Sequence, residues 1–304
     1  MTRWPEYSSE SHQAASKPPD GTQTVTRREV PYEVTDELIS VEEVSVVFGA
    51  KDKAFGAVKN VNLAIFAGEF VCLMGPSGCG KSTVLNVLAG FNHPSSGRVT
   101  LRGQPISGID RHRGVVFQKP ALFEWFSVAK NIAFGLKVMK RPKAEIKDKV
   151  AQYLQSVGLT GFADHKVYEL SGGMRQRVAI ARSLITEPEI LLMDEPFGAL
   201  DALTREQMQN LVRDIWWRTG KTIFFITHDV DEALKLGTRI LVMSPRPGTI
   251  IDNIESGFSR SLLERADDRV WFSEDFYRAR RHLLSMVTGK PAPQCGPEDE
   301  GPTF

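Results

Sequence analysis

The stretch "EFVCLMGPSGCGKSTVLNVLAG", residues 69–90, decides the fold. It opens with a nearly continuous apolar run, as a buried strand does, and closes with apolar residues at helical spacing. Between them lies "GPSGCGKST" (75–83), which fits G-x-x-x-x-G-K-[ST] with Gly75, Gly80, Lys81 and Ser82 in the fixed places. Glycines let backbone N–H groups wrap phosphates without Cβ clashes, and the helix start adds partial positive charge. Lys81 then reaches the β- and γ-phosphates, and the Ser82 hydroxyl ligates Mg²⁺. The expected nucleotide cradle is therefore Gly75, Pro76, Ser77, Gly78, Cys79, Gly80, Lys81, Ser82 and Thr83. Cys79 reads as a small filler. Its place at a helix N-terminus predicts a lowered thiol pKa, so that alkylation blocks hydrolysis and bound ATP protects.

Working outward, "GVVF" (114–117), "EILLMD" (189–194), "TIFFIT" (222–227) and "RILVM" (239–243) are further apolar runs. Strands apolar on both faces belong in a parallel sheet covered by helices. "VSVVF" (44–48) and "VNLAIF" (61–66) predict an antiparallel pair around the polar turn "GAKDKAFG". Residues 120–185 carry no long strand signal, and Ile146, Val150, Tyr153, Leu154 and Val157 make a helical face there. Met208, Leu211, Val212 and Ile215 make another, with a capping box from Thr204 to Gln207 and a stop near Gly220. Apolar positions in 256–288, among them Phe258, Trp271, Phe272, Phe276 and Leu283, predict short helices packing back on the core. The fold class is α/β: a P-loop NTPase core with a mostly parallel sheet, an N-terminal antiparallel β subdomain and an inserted α-helical subdomain. The expected division is a disordered polar arm over 1–36, an ATPase domain over 37–255 with the helical insertion at about 120–185, and a helical extension and tail over 256–304.

Bulk properties narrow the class. The 304 residues are 41% hydrophobic and 25% charged, as in ordinary globular proteins, and the net charge of +1 gives no field for nucleic acid. No apolar run reaches the roughly 18 residues that span a bilayer, and the polar N-terminus lacks a secretory apolar core. Cys72, Cys79 and Cys295 form no disulfide framework, which reads as a reduced, cytoplasmic protein.

Chemistry gathers where the apolar strands end. "ILLMDEP" (190–196) puts Asp194 and Glu195 at a strand end, where open α/β sheets bind ligands. Asp194 suits a Mg²⁺ site. Glu195, pointing differently because strand side chains alternate, suits a general base on water. His228 ends "TIFFITHD" on the same rim, and Gln118 ends "GVVFQ". "LSGGMRQR" (170–177) is a second phosphate-type helix start, with Ser171 as cap and Gly172 and Gly173 leaving the backbone bare.

Taken in order, GPSGCGKST, Gln118, LSGGMRQR, MDEP, Leu200-Asp201 and His228 resemble the ATP-binding subunits of ABC transporters over about residues 38–252. The resemblance implies ATP and Mg²⁺ as cofactors, with Lys81, Gln118, Glu195 and His228 in catalysis and Ser82, Gln118 and Asp194 at the metal. Gln118 would be the Q-loop glutamine, Asp201 the D-loop aspartate and His228 the switch histidine. It implies a head-to-tail homodimer in which Ser171, Gly172 and Gly173 hold the nucleotide bound at the partner's Lys81. Phe48 stands where the family often stacks adenine on tyrosine. Met174 replaces the glutamine of the common LSGGQ, and Arg175 and Arg177 read as structural ion-pair formers. The aromatic stretch around Phe123, Trp125 and Phe126 would form the groove for a membrane permease subunit. An extracytoplasmic solute-binding protein would act indirectly, nucleic acid would be no partner, and the subunit would lie on the cytoplasmic face of the inner membrane.

Within the family, "RGVVFQ", "FGALDALTREQMQ" and "LVMSPRPGTI" are most similar to the taurine, aliphatic sulfonate and nitrate importers. "TREQMQ" favours taurine or a related sulfonate. Nitrate, bicarbonate and thiamine-precursor importers share the look. An ATPase acting on nucleic acid is the remote alternative, disfavoured by the absence of a heptad run and of a second ATPase unit.

Overall fold

The computed structural model describes residues 36–49, 54–265 and 268–288. The arm over 1–35, most of the turn between the first two strands, Cys295 and the C-terminal tail lie outside them.

Two sheets share the molecule. The first is antiparallel, in the order β2-β1-β4-β5, from β1 (Glu37–Phe48), β2 (Phe55–Phe66), β4 (Ser96–Leu101) and β5 (Gln104–Pro105). The pair β1–β2 is longer than the apolar runs imply. Each strand has 12 residues and pairs from Glu37↔Phe66 to Phe48↔Phe55, with irregular register along the way. The second sheet has the order β10-β9-β3-β8-β7-β6. Its strands are β3 (Phe70–Met74), β6 (Arg113–Val116), β7 (Ile190–Asp194), β8 (Thr222–Ile226), β9 (Arg239–Met243) and β10 (Ile250–Glu255). All its pairings are parallel except that of β10 with β9.

The strand β3 shows why these runs are mostly apolar. Val71 and Leu73 face a cluster shared with the first sheet and with α1 (Lys81–Ala89), through Val84, Leu85 and Leu88. Phe70, Cys72 and Met74 face the opposite cluster, built with α6 (Ala202–Thr219), α7 (Val230–Leu236) and α9 (Glu274–Thr288). Period-two alternation sends neighbours to two different cores, so no position of β3 is polar. At the N-terminal edge of this sheet, Trp216 Nε1 donates to Gly68 O at 2.9 Å.

The region 120–185 holds α2 (Val128–Ile132), α3 (Phe134–Val138), α4 (Lys143–Ser156) and α5 (Gly172–Leu184), packed around their own apolar cluster. That cluster includes Val150, Leu154 and Val157 of the expected face. After β10, α8 (Phe258–Arg265), a 3₁₀ turn (Asp268–Phe272) and α9 return to the main core through Phe276, Ala279 and Leu283.

Two expectations need correcting here. The helix α6 begins at Ala202 and is capped by Asp201, whose carboxylate accepts from Thr204 N at 3.0 Å, so the capping box expected at Thr204 sits one turn too late. The stop at Gly220 stands, with φ 61 and its N–H bonded to Trp216 O. Phe272 does not pack inward; it is 74% exposed at the end of its turn.

One buried charge joins the sheets. Arg239 in β9 meets Glu69 Oε2 at 2.6 Å, each side chain only 10% exposed, and Arg239 also donates to Ala64 O. Glu69 Oε2 in turn accepts from Phe66 N at 2.8 Å. Removing one partner of such a pair strands the other. Arg239→Met should lower unfolding stability by about 3 kcal/mol in denaturant titration. The double variant Glu69→Gln, Arg239→Met should recover most of that loss.

Candidate functional site

The loop leaving β3 sits at the C-terminal edge of the parallel strands. Gly80, just before α1, has φ 106, and a Cβ there would fall 2.5 Å from Val58 Cγ1 and 2.9 Å from Ala57 O. Both the conformation and the close approach to β2 require glycine. Lys81 is buried, and its Nζ donates to Gly75 O at 2.9 Å and Pro76 O at 3.2 Å. The ammonium thus bends back over its own loop and, among the described residues, its hydrogen bonds go to these two carbonyls. Pro76, Ser77 and Gly78 form the outer turn, with Ser77 and Gly78 exposed, and Thr83 is half-buried on α1.

Next to the loop, Ser82 Oγ donates to Asp194 Oδ1 at 3.1 Å, across 112 residues of sequence. Burial pushes the Asp194 carboxyl above its ordinary value, and the nearby Glu195 adds to this, while the Ser82 hydrogen bond and Lys81 oppose it. The Ser82 and Asp194 oxygens are hard donors of the kind Mg²⁺ takes, and Lys81 with the bare loop backbone suits a triphosphate. Among the described residues no cluster of three or more His, Cys, Asp or Glu side chains could hold a metal by itself.

Glu195 diverges from Asp194, though not through strand alternation. Its φ is 42, a left-handed conformation that non-glycine residues seldom adopt, and its N–H donates to Ile226 O at 3.1 Å. The turn carries its carboxylate to His228, with Oε2 3.2 Å from Nδ1. A carboxylate oxygen only accepts, so Nδ1 carries the proton and the Nε2 of a neutral ring is left as an acceptor. Strain of this sort concentrates where a side chain must be aimed. A small recess beside the pair is lined by Gly198, Arg205, Thr227 and Asp229.

The other expected residues fall in two places. Gln118, exposed after β6, has its Nε2 3.6 Å from where a Cβ of Gly198 would be, which puts it beside the loop that follows Glu195. Phe48 ends β1 with its ring 5.9 Å from that of Phe55. Ser171 caps α5 by accepting from Met174 N at 3.3 Å, and Gly173 packs against Thr204 of α6. Among the described residues no hydrogen bond joins Ser171, Gly172 or Asp201 to the Lys81 loop. Among the described residues Arg175 and Arg177 form no ion pairs. They donate to the backbone carbonyls of Leu170 and Val157, which fixes the entry to α5 and the end of α4. Phe123 gathers the rings of Trp125, Phe126 and Phe134 within 4.5–5.5 Å, and Trp125 remains 70% exposed. Sequence reading missed Arg205 and Glu232, whose signals are single charged residues on helices and carry no spacing pattern.

Cys79 overturns its expectation. It is 1% exposed, and burial pushes its thiol up despite the nearby Lys81. The helix start does not compensate for lost solvation. Maleimide should label Cys79 at least about tenfold more slowly than a free thiol at pH 8, checked by peptide mass spectrometry. Labelling should become rapid only in denaturant.

Asp194 also predicts a separation of stability from activity. Its folded pKa lies above the unfolded one, so its ionised form opposes folding at neutral pH and ceases to do so as pH falls below the unfolded value. Asp194→Asn should raise Tm in chelator at pH 7.5, about 2–4 °C for each 1 kcal/mol relieved. The gain should shrink toward pH 4 in thermal melts, while ATP hydrolysis is lost.

Known proteins share this arrangement. Residues 58–198 match the family model described as ABC transporter. The chain is 47% identical over 252 residues to the taurine import ATP-binding protein of Pelagibacter ubique, covering 83% of this chain and 95% of that protein. It is 50% identical over 252 residues to the protein of that name from Rhizobium johnstonii, covering 82% and 96%. Among solved structures, the dimeric ATP-binding cassette MJ0796 in a post-hydrolysis state with ADP and Pi matches at TM-score 0.64 and 33% identity, over 72% of this chain and 98% of that one. The cbiO1 protein of Clostridium perfringens, part of an ABC transporter complex, matches at TM-score 0.67 and 30% identity, over 82% and 99%. Identity near one half across almost the full length of the relatives places the chain in the ABC transporter family, as an ATP-binding subunit that hydrolyses ATP.

Proposed function

We propose that this chain drives an importer for taurine or a closely related sulfonate from the cytoplasmic face of the inner membrane. The observation that carries the reading is the 47–50% identity to taurine import ATP-binding proteins along more than four-fifths of the chain. Among the described residues no helix is long and apolar enough to cross a membrane, so the reading assigns the transport path to separate permease subunits. The groove they would grip is the aromatic group around Phe123, with exposed Trp125 as anchor. A solute-binding protein outside the membrane completes the assembly.

In this reading residues 37–255 are the ATPase domain, with the helical insertion at about 120–185, and 256–304 extend it. Gly75 to Thr83 wrap the triphosphate and Lys81 leaves its carbonyl partners to meet the β- and γ-phosphates. Phe48 stacks on the base. Ser82, Asp194 and Gln118 are the protein ligands for Mg²⁺. When bound, that ion neutralises phosphate charge. Glu195 takes a proton from the attacking water, and His228, held by its carboxylate, faces the γ-phosphate with its free ring edge. Ser171, Gly172, Gly173 and Asp201 act on the nucleotide of a second copy, so that the working unit is a head-to-tail dimer.

The test is uptake. Deleting the gene should abolish uptake of labelled taurine and leave nitrate uptake unchanged. Wild type should restore it. Glu195→Gln should not, and its ATPase rate should fall by about 10²-fold or more. Loss of nitrate uptake with taurine uptake intact would move the cargo to the nitrate group; no change in either would remove the sulfonate assignment.

A further inference from the structure

Between the phosphate loop and Phe48 lies a residue of the stretch "LVMSPRPGTI" to which the sequence reading gave no role. Arg246 sits in the loop joining β9 to β10. Its Nε donates to Gly78 O at 3.1 Å, in the outer turn of the phosphate loop. Its guanidinium stands 5.0 Å over the ring of Phe55, and that ring lies 5.9 Å from Phe48. Three flat groups therefore run in a row from the phosphate loop to the end of β1. All are open to solvent: Phe48 is 37% and Phe55 46% exposed, and Arg246 is exposed as well.

The row is held by its surroundings. Gly248, two residues on, pairs with β2 through Lys59 N to Gly248 O at 2.9 Å and Gly248 N to Ala57 O at 3.1 Å. A Cβ on Gly248 would fall 1.9 Å from Cys79 O, so glycine alone lets this loop press on the phosphate loop. No carboxylate pairs with Arg246 among the described residues. An arginine normally finds an acid. Here it is anchored by a carbonyl and an aromatic face instead, an arrangement suited to stacking.

We propose that Arg246, laid on Phe55, is a nucleotide-binding residue that forms the wall for the nucleoside part of ATP. The inference rests on the placement of the base at Phe48 proposed above. A triphosphate in the loop and a base on Phe48 leave the ribose and the base edge to pass across Arg246. The planar cation adds a second face for the purine, at a point where β1 ends in phenylalanine and lacks a hydroxyl to offer.

Binding of ATP and of tripolyphosphate to the full chain, by calorimetry, tests this. Arg246→Ala should weaken ATP about tenfold and leave tripolyphosphate unchanged, with kcat at saturating ATP within about twofold of wild type. Arg246→Lys keeps the charge without the plane and should not restore ATP affinity. An unaltered melting temperature in the absence of nucleotide checks that both variants fold. Unchanged ATP affinity in Arg246→Ala, or a parallel loss for tripolyphosphate, overturns the proposal; the second outcome would make Arg246 a support of the phosphate loop only. Phe48→Ala separates the two readings. If it weakens ATP while Arg246→Ala does not, the wall fails and the base site stands; if it leaves ATP affinity unchanged, the base lies elsewhere and both fall.

Discussion

A buried ammonium that, among the described residues, makes no salt bridge to a carboxylate organises this molecule. Lys81 is 7% exposed and is met by the carbonyls of Gly75 and Pro76. Dipoles soften the desolvation of a cation but do not neutralise it. At the strand ends Asp194, which interacts electrostatically with Lys81, is engaged by Ser82, and its own ionised form is disfavoured by burial. The site therefore keeps positive potential where anionic oxygen will bind, and preorganised potential of that kind is the main resource of phosphoryl-transfer sites. Keeping Lys81 there needs β3 in the interior of the sheet, α1 wedged between the two sheets, and Gly80 against β2. The two-core arrangement follows from that demand.

The candidate side chains beyond the loop are fixed from several directions. The first turn of α7, just after His228, carries Asp229, Asp231 and Glu232. Asp229 caps its own helix by accepting from Asp231 N and Glu232 N, and Arg205 of α6 approaches it at 4.0 Å while bonding Leu200 O. Gln209, one turn further along α6, donates to Glu232 at 3.0 Å in the interior. Burial pushes the Glu232 carboxyl up. From the C-terminal extension, Arg280 forks onto Asp231 at 2.6 and 3.3 Å. His228 is 63% exposed yet rises from a turn that α6 and α9 grip. The extension thus contributes to the foundation of the site as well as to the apolar core.

Much of this was readable because the physics is local. Apolar runs marked the parallel core, since each strand serves two cores, and its buried polar residues, Arg113, Thr222 and Arg239, stand at strand starts. The glycine loop, Asp194, Glu195 and His228 were legible because parallel strands deliver their C-termini to one edge. What escaped depended on tertiary context. The strand β4 starts with the polar Ser96, Gly97 and Arg98, and its pairing with β1 supplies what its composition lacks. The cap of α6 was displaced because Thr204 and Gln207 fit a capping box in isolation, while Asp201 has the geometry. The Cys79 thiol was misjudged because sequence shows a helix start but not the packing that buries it. Arg175 and Arg177 bond carbonyls, and a charge in a sequence never says whether its partner is a side chain or the backbone.

The two phosphate-type helix starts are built differently and placed apart, α1 entered through a left-handed Gly80 and α5 through an extended, capping Ser171. At α1 the loop curls over Lys81. At α5 the start stays exposed, with Ser171 spending its hydroxyl on Met174 N. Beside it begins α6, with Gly172 near Leu200 and Gly173 against Thr204. Two helix N-termini with partial positive charge thus lie side by side. The Asp201 carboxylate offsets one, and the hydrogen bonds of Thr204 hold that carboxyl below its ordinary value. The other has only a neutral hydroxyl. Like partial charges on one face resist closing against another protein surface unless an anion comes between them. In the head-to-tail arrangement proposed above, that anion is the phosphate carried by the second copy. The same electrostatics that leaves the α5 start uncompensated in one chain then makes pairing depend on bound nucleotide.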